Sequence, residues 1–441
     1  MFGRFSAVPS TRAGSSQIQP AANFAYKKHR LQGDRPFFND WGSFVVNQQS
    51  QKVYIYGGVR PDDDTNDPTS DLYCLDLKTM KWWNMTESLK FRPHNHVFDP
   101  FFKGEENLEI RQLPALSEAA VTLTSVGGGQ YLIIFGGYNT TTLSAMSDLI
   151  AVDLDLLTWW FVDIQGAPIR PRMSAAIVSV DNRLFIFGGR DQFDDETPPI
   201  RTYSIAEYFS QTQTPWTWRV TDVPFPPDLP LLGYGIQATP VYGGQKILLT
   251  RGRVESDKPI DLSRESTIFF HTQNQTFQDA RATMGNFPSG ISWYHLGTVV
   301  PGAPPSAPAS PRRRPGRPSK NTPREPTTAV GAMPTHSFPP SVVVVAWQKH
   351  PEHEDDLVPE VWQYFLPPAE RIRCLNLGDR LWNLNLDLQA FVVVDSRLLL
   401  LGSAGGGSRD LPGAQGSQMA VDKPMAQWDI AVEISSEYLE D

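Results

Sequence analysis

The chain has 441 residues, of which 40% are hydrophobic, 11% aromatic and 20% charged, and its net charge at pH 7 is −9. These proportions are typical of a globular, strand-rich protein, and the negative charge argues against a general nucleic-acid-binding surface. Two cysteines, Cys74 and Cys374, are too few for a disulfide framework, and no apolar run reaches the roughly 18 residues that span a bilayer.

The N-terminal segment 1–33 is basic and contains no acid. Its basic residues are Arg4, Arg12, Lys27, Lys28 and Arg30. Mitochondrial transit peptides share this composition, but no amphipathic helix is discernible, so residues 1–22 are expected to be a disordered tail. The segment has no secretory apolar core either. We therefore expect an intracellular protein of the cytoplasm or nucleus, with the mitochondrion left open.

A short apolar strand that ends in two glycines occurs three times. The copies are Val53–Gly58, Leu132–Gly137 and Leu184–Gly189, and a polar stretch follows each of them. The first two copies can be aligned further along the chain. Segment 71–73 aligns with 148–150, and the Trp-Trp pair that begins at Trp82 aligns with the pair that begins at Trp159. A repeat built from strands and turns at this spacing predicts an all-β fold, namely a single β-propeller.

The diglycine, the aspartate-bearing strand after it and the closing Trp together resemble the kelch-repeat propellers. The resemblance covers about residues 39–223 and is weak afterwards. It implies blades of four antiparallel strands, in which the glycines and indole rings form the framework. It also implies an adaptor for protein complexes, whose partners bind loops on one face. Small residues suit tight turns and close backbone approach, which agrees with this interpretation.

The repeat predicts six blades, and seven stay open if the connection 87–112 hides strands. The blades are expected at about 40–86, 113–164, 171–223, 235–277, 291–384 and 386–435. The fourth is degenerate, and the sixth lacks an outermost strand. Segment Asn23–Leu31 is available to supply that strand and close the ring. The propeller domain would then span 23–441, with a flexible Gly/Ser-rich loop at 403–424.

A Pro-rich segment, 301–340, interrupts the fifth blade and is expected to be a disordered insertion. It carries a net charge of +5, so the rest of the chain carries −14. Its core resembles an AT-hook, with Pro315 where that motif has Arg, and the resemblance implies binding in the minor groove of A·T-rich DNA. The implied contact residues are Arg312, Arg313, Arg314, Gly316, Arg317, Pro318 and Lys320. A nuclear-import signal, a phosphorylation-regulated linker and a basic loop without function are the alternatives.

No pattern in the sequence predicts catalysis, a cofactor or a metal. His94, His96 and Asp99 form one short cluster and segment 350–356 holds another, but no CxxC or HExxH motif is present. The copper-radical oxidases share this style of propeller and need a Cys crosslinked to Tyr, for which neither cysteine has a recognisable context. A small-molecule enzyme of the kelch-type specifier class is the remaining enzymatic alternative.

The leading hypothesis is a non-enzymatic scaffold that binds other proteins, without a membrane partner. Loops carry function more often than the framework does, so the polar stretches after the diglycines supply the candidate residues. These candidates are Arg60, Asp62 and Asp63 after the first diglycine, and Arg190, Asp191 and Asp194 after the third.

Overall fold

The computed structural model describes most of the predicted repeat. The described residues are 26–36, 42–59, 67–92, 111–192, 200–208, 217–227, 229, 233, 235–250, 267–279, 293–299, 341–349, 357–366, 372–374, 386–394, 397–404 and 430–434. Their regular secondary structure is almost entirely β-strand, and the strands assemble as a β-propeller, which confirms the predicted fold class.

Among the described residues, fourteen strands precede residue 170. They are β1 (Tyr26–Arg30), β2 (Gln32–Gly33), β3 (Ser43–Asn47), β4 (Lys52–Tyr56), β5 (Leu72–Asp76), β6 (Lys81–Asn84), β7 (Lys90–Phe91), β8 (Ala120–Val126), β9 (Gly129–Phe135), β10 (Tyr138–Asn139), β11 (Ser144–Ala145), β12 (Leu149–Asp153), β13 (Thr158–Phe161) and β14 (Asp163–Gly166).

The remaining strands follow in the same way. They are β15 (Ala176–Val180), β16 (Arg183–Phe187), β17 (Thr202–Tyr208), β18 (Thr217–Pro224), β19 (Gln237–Val241), β20 (Lys246–Thr250), β21 (Thr267–His271), β22 (Thr276–Asp279), β23 (Trp293–Val299), β24 (Ser341–Lys349), β25 (Leu357–Phe365), β26 (Ile372–Cys374), β27 (Leu386–Val394), β28 (Arg397–Ala404) and β29 (Ile430–Ile434). Single 3-10 turns occur at Thr86–Ser88 and Tyr242–Gly244.

Six sheets of four or five strands form the blades of the described part of the chain. From the innermost strand outward, they are blade 1 (β3-β4-β5-β6-β2), blade 2 (β8-β9-β12-β13-β7), blade 3 (β15-β16-β17-β18-β14), blade 4 (β19-β20-β21-β22), blade 5 (β23-β24-β25-β26) and blade 6 (β27-β28-β29-β1). The innermost strands touch in chain order, and β27 returns to β3, so the blades form a ring. Most of the connection that could hold a seventh blade, residues 93–110, lies outside the described residues.

The second strands of blades 1, 2 and 3 are buried on both faces because a neighbouring blade covers each face. The side chains of 53–56, 132–135 and 184–187 are all buried. Apolar clusters therefore lie between blades: one joins blades 1 and 2, a second joins blades 2 and 3, and a third joins blades 3 and 4. Trp82 and Trp159 are fully buried in such clusters, which confirms their predicted framework role.

An additional outermost strand runs along three blades. β2, β7 and β14 each precede their blade in the chain, and each pairs in parallel with that blade's fourth strand, β6, β13 or β18. The chain therefore leaves one blade and covers the edge of the next before it enters the core. Covered edges are protected from pairing with other chains. In blade 2 this crossing brings the Phe91 ring within 4.7 Å of the Trp159 ring, measured between centroids.

The N-terminal strand closes the ring, as the sequence predicts for Asn23–Leu31. Residues Tyr26–Arg30 pair antiparallel with Ile430–Ile434 and supply the fourth strand of blade 6. In blade 5 the described fourth strand is Ile372–Cys374, which pairs with the third strand. Its Cys374 pairs with Trp362 of the third strand.

Strand direction separates two faces of the propeller. The diglycine face holds the connections from second to third strands and the segments that enter the next blade. The opposite face holds the turns between first and second strands and between third and fourth strands. The Pro-rich segment joins Val299 to Ser341, which pair at the ends of the first and second strands of blade 5. The insertion therefore starts and ends on the opposite face. Among the described residues, no helix is long and apolar enough to cross a membrane.

Candidate partner-binding face

The diglycines determine the backbone conformation at the diglycine face. Gly57 and Gly136 have φ angles of 67° and 63°, a region that residues with a side chain rarely adopt. A Cβ on Gly136 would lie 2.2 Å from the carbonyl oxygen of Arg172, at the entry to blade 3, and one on Gly57 would lie 2.3 Å from that of Leu116, at the entry to blade 2. Each first glycine therefore allows one blade to contact the next at this face.

A buried ionic cluster holds blades 2 and 3 together beneath the face. The Arg190 guanidinium lies 3.3 Å from a Glu118 carboxylate oxygen, and the Ser174 hydroxyl donates to the other oxygen of that carboxylate. The Ser174 amide also donates to the Glu118 carbonyl oxygen at 2.9 Å. Glu118 and Ser174 have φ angles of 53° and 52°, a conformation that costs on the order of 1–3 kcal/mol each and persists where surrounding contacts enforce it.

A second buried cation, Arg172, joins the strand ends of blade 3. Its side chain is fully buried. The guanidinium donates to the carbonyl oxygens of Gly188 and Thr202 at 3.1 and 3.3 Å, and it lies 3.6 Å from Asp222. Burial lowers the pKa of Arg172 to about 10, so the side chain remains charged at neutral pH. These contacts give Arg172 a framework role under the face.

A polar hairpin projects from the face at blade 2. Strands β10 and β11 pair, and the Asn139 side-chain oxygen accepts bonds from the amides of Thr141 and Thr142 at 2.8 and 3.2 Å. Such Asx turns stabilise a tight loop. The Thr140 hydroxyl reaches across to Asp67 of blade 1 at 3.2 Å. At the tip, Leu143 is 75% exposed, so the hairpin presents an apolar side chain on a braced polar support.

Two aspartates occupy the same repeat position beside this hairpin. Asp71 and Asp148 each directly precede a third strand, and their carbonyl oxygens accept the amides of Gly57 and Gly136 at 3.0 and 3.2 Å. Burial raises the pKa of the half-buried Asp148 carboxyl. Among the described residues, that carboxylate has neither a hydrogen bond nor an ion pair. Its charged form is therefore only partly solvated and is not neutralised.

The predicted partner-binding residues have different positions. Arg190 is buried against Glu118, so it belongs to the framework, and Asp191 forms a 2.6 Å ion pair with Arg170 at the surface. Four of the predicted candidates lie outside the described residues: Arg60, Asp62, Asp63 and Asp194. The predicted DNA-contact residues within 312–320 also lie outside them.

Few of the residues that the sequence analysis considered for catalysis or metal binding lie in the described part of the chain. Cys74 is buried. Within the described ranges no group of three or more His, Cys, Asp or Glu residues could hold a metal ion. The histidine clusters at 94–99 and 350–356 lie outside those ranges.

Sequence reasoning missed three features of this face: the Glu118 cluster, Arg172 and the exposed Leu143. The first two join residues that are far apart in the chain, such as Glu118 and Arg190 at a separation of 72 positions. A repeat alignment offered one clue to the hairpin, because segment 138–147 separates the diglycine from the aspartate in blade 2.

Comparison with known proteins shows partial similarities. No protein-family model matches the chain. It is 30% identical to acyl-CoA-binding domain-containing protein 5 of Arabidopsis thaliana over 148 residues, which are 31% of this chain and 22% of that protein. It is 30% identical to acyl-CoA-binding domain-containing protein 4 of the same plant over 206 residues, 37% of this chain and 29% of that protein. It is also 28% identical to the Rab9 effector protein with kelch motifs of Rattus norvegicus over 183 residues, 34% of this chain and 48% of that protein. The match thus spans between about a fifth and a half of each relative's length.

Proposed function

We propose that this chain, a kelch-repeat β-propeller, is a non-enzymatic scaffold that binds other proteins on its diglycine face. Relatives that carry kelch motifs support a role in protein interaction, and only that general role is transferred from them. An adaptor between other proteins is the finer form of the proposal. It needs no catalytic group, and it agrees with the framework role of the buried ionic residues under the face.

The exposed leucine of the hairpin is the observation that carries the proposal. Leu143 stands at the tip of a loop that the Asn139 side chain and the Thr140–Asp67 bond hold in place. A braced apolar tip loses little conformational freedom when a partner covers it, so more of its burial energy remains as affinity. Covering a leucine side chain completely is worth about 1.5–3 kcal/mol, which corresponds to roughly a tenfold to hundredfold change in affinity.

Blade 2 offers a matched control for this experiment. Leu156 is 62% exposed in the turn between the third and fourth strands, and therefore lies on the opposite face. We would capture proteins from a cell extract on wild-type, Leu143→Ser and Leu156→Ser propellers, and then titrate each purified binder. The proposal predicts at least tenfold weaker binding for Leu143→Ser and wild-type binding for Leu156→Ser. Equal binding by the two variants would contradict docking on the diglycine face, provided that both unfold at the wild-type urea concentration.

The basic insertion supports a second candidate function, contact with A·T-rich DNA. Its two ends lie on the face opposite the hairpin, so a protein partner and a nucleic acid could be bound together. Arg317→Ala, within the AT-hook-like core, should weaken binding to an A·T duplex, whereas Arg324→Ala, outside the core, should not. Similar binding of both variants, or equal affinity for a G·C duplex, would reject minor-groove recognition.

A further inference from the structure

We propose that the rim of the propeller binds a phosphate monoester group at the point where the ring closes. The site is a recess of about 210 Å³ where the chain crosses from β1, the outermost strand of blade 6, to β2, the outermost strand of blade 1. Five residues line it: Arg30, Leu31, Gln32, Gly33 and Arg35. The recess lies away from the hairpin of blade 2, so this proposal does not depend on the proposed docking site.

The backbone of the recess is held on both sides. Arg30 ends β1, which pairs with β29 of blade 6, and the Gln32 amide donates to the Met80 carbonyl oxygen of blade 1 at 3.0 Å. Between them, Leu31 is 1% exposed and packs in the apolar cluster that joins blades 6 and 1. A site with an ordered backbone loses little conformational freedom on binding, so more of the interaction energy remains as affinity.

A glycine stands in this recess where two other blades have a large apolar side chain. In blades 1, 2 and 3 the additional outer strand places one residue opposite the buried Trp of the fourth strand: Gly33 opposite Trp82, Phe91 opposite Trp159, and Ile164 opposite Trp218. Phe91 and Ile164 pack into the apolar clusters beside them, whereas Gly33 has no side chain that could fill the space. A Cβ on Gly33 would lie 2.1 Å from the Trp82 carbonyl oxygen, so the backbone excludes a larger residue. The recess is therefore a feature of the closing blade.

The recess lies in a basic part of an acidic protein. The described segment 26–36 contains one acid, Asp34, which does not line the recess, and four Lys or Arg residues: Lys27, Lys28, Arg30 and Arg35. Four cations and one acid give this segment a formal charge of +3, in a chain whose net charge is −9. Lys81 of β6, opposite Gln32, is a further exposed cation. A local positive potential of this kind attracts anions.

Two arginines give the recess its preference for phosphate. Among the described residues, the Arg30 side chain has neither a hydrogen bond nor an ion pair. Arg35 is partly buried and has a further interaction within the chain, but a guanidinium carries five N–H donors, so donors remain for a ligand. Planar guanidinium groups match the oxygens of phosphate in pairs. The corresponding positions of blade 3 are Phe161 and Gly166, so the repeat itself does not require these cations.

Short labelled peptides test the site by fluorescence anisotropy. The probes are fluorescein-labelled pentapeptides in which two glycines flank a central phosphoserine, serine or glutamate on each side, at 150 mM NaCl. We expect the phosphoserine peptide to bind at least about tenfold more tightly than the serine peptide and about threefold more tightly than the glutamate peptide. Equal binding of the phosphoserine and glutamate peptides would overturn phosphate recognition.

The same segment supplies a control with an equal loss of charge. R30Q/R35Q should weaken binding of the phosphoserine peptide at least about tenfold. K27Q/K28Q removes two exposed cations that do not line the recess, so it should stay within about threefold of wild type. Equal losses in both double variants would show general attraction to a basic segment and would overturn the proposal. If R30Q/R35Q does not fold, R30K/R35K decides, because it keeps the charge without the planar groups; wild-type affinity there would refute recognition by the arginines.

Competition distinguishes the two sources of the phosphate group. Inorganic phosphate would be titrated against the bound phosphoserine peptide. Displacement at a concentration close to the Kd of the peptide supports the site and identifies a free phosphate as sufficient. Displacement only at a concentration about tenfold higher or more also supports the site, and indicates a phosphorylated protein segment whose backbone adds affinity. Failure of inorganic phosphate to displace the peptide at any concentration up to 100 mM would overturn the assignment of the recess to phosphate.

Discussion

Replacement of Arg172 by methionine tests whether the buried cation is a structural joint. The change removes a guanidinium that donates to the Gly188 and Thr202 carbonyls and to the Ser204 hydroxyl, and that lies beside Asp222. Methionine has a comparable length but no donor. An acceptor left unpaired in the interior costs about 1–3 kcal/mol, and loss of one partner from a buried ion pair costs about 3–5 kcal/mol. Because Asp222 keeps its 2.7 Å bond from Ser204, we expect a total loss of about 3–5 kcal/mol.

Urea titration followed by tryptophan fluorescence measures this loss, and Arg170→Met is the matched control. Arg170 lies two positions away, but its side chain is half-exposed and, within the described part of the chain, pairs at the surface with Asp191. Exposed ion pairs contribute about 0–1 kcal/mol, so this variant should stay within about 1 kcal/mol of wild type. A similarly small loss for Arg172→Met would refute the structural role of the buried cation. Unchanged urea sensitivity of the transition (the m value) would show that both variants unfold to the same extent.

The remaining predictions concern four other parts of the molecule. Trp82→Ala should lower the free energy of unfolding by about 3–5 kcal/mol in the same titration, because the indole is fully buried between blades 6 and 1. Burial raises the pKa of the Cys74 thiol to about 11 from 9.0, which lowers the fraction of reactive thiolate at pH 8. In a Cys374→Ser background, maleimide at pH 8 should therefore label native protein about 100-fold more slowly than unfolded protein. Burial also raises the pKa of Asp148, so its ionised form costs stability as the pH rises above about 4. Asp148→Asn should therefore be as stable as wild type or more stable at pH 7, and should lose that advantage at pH 3. Deletion of 304–334 should change the unfolding free energy by less than about 1 kcal/mol, because the flanking strands pair at Val299 and Ser341.

The framework could be predicted because its chemistry is local and repeated. The diglycine is required by its own positive φ angles and by one close carbonyl oxygen. The Gly-Gly pair therefore recurs where that contact recurs. Asp76 and Asp153 are another case. Each side chain accepts backbone amides of the turn between the third and fourth strands, which keeps its distance to the following Trp constant. Features of this kind appear in the sequence as a spacing.

The chemistry of the face is carried by departures from the repeat, which no spacing reveals. Arg190 follows a diglycine in a polar stretch, and by sequence alone it resembles a surface residue. In the repeat it corresponds to Val59 and Tyr138, at a position where the chain pairs with a neighbouring segment. Its bridge to Met173 directs the Arg190 side chain inward to Glu118. Asp148 is a second departure from the repeat, because the residue at its position in blade 3 is Thr202. The blades of a propeller differ from one another at the positions that the repeat does not constrain. The partner is therefore expected to contact those positions, and to ignore the glycines and indoles that identify the fold.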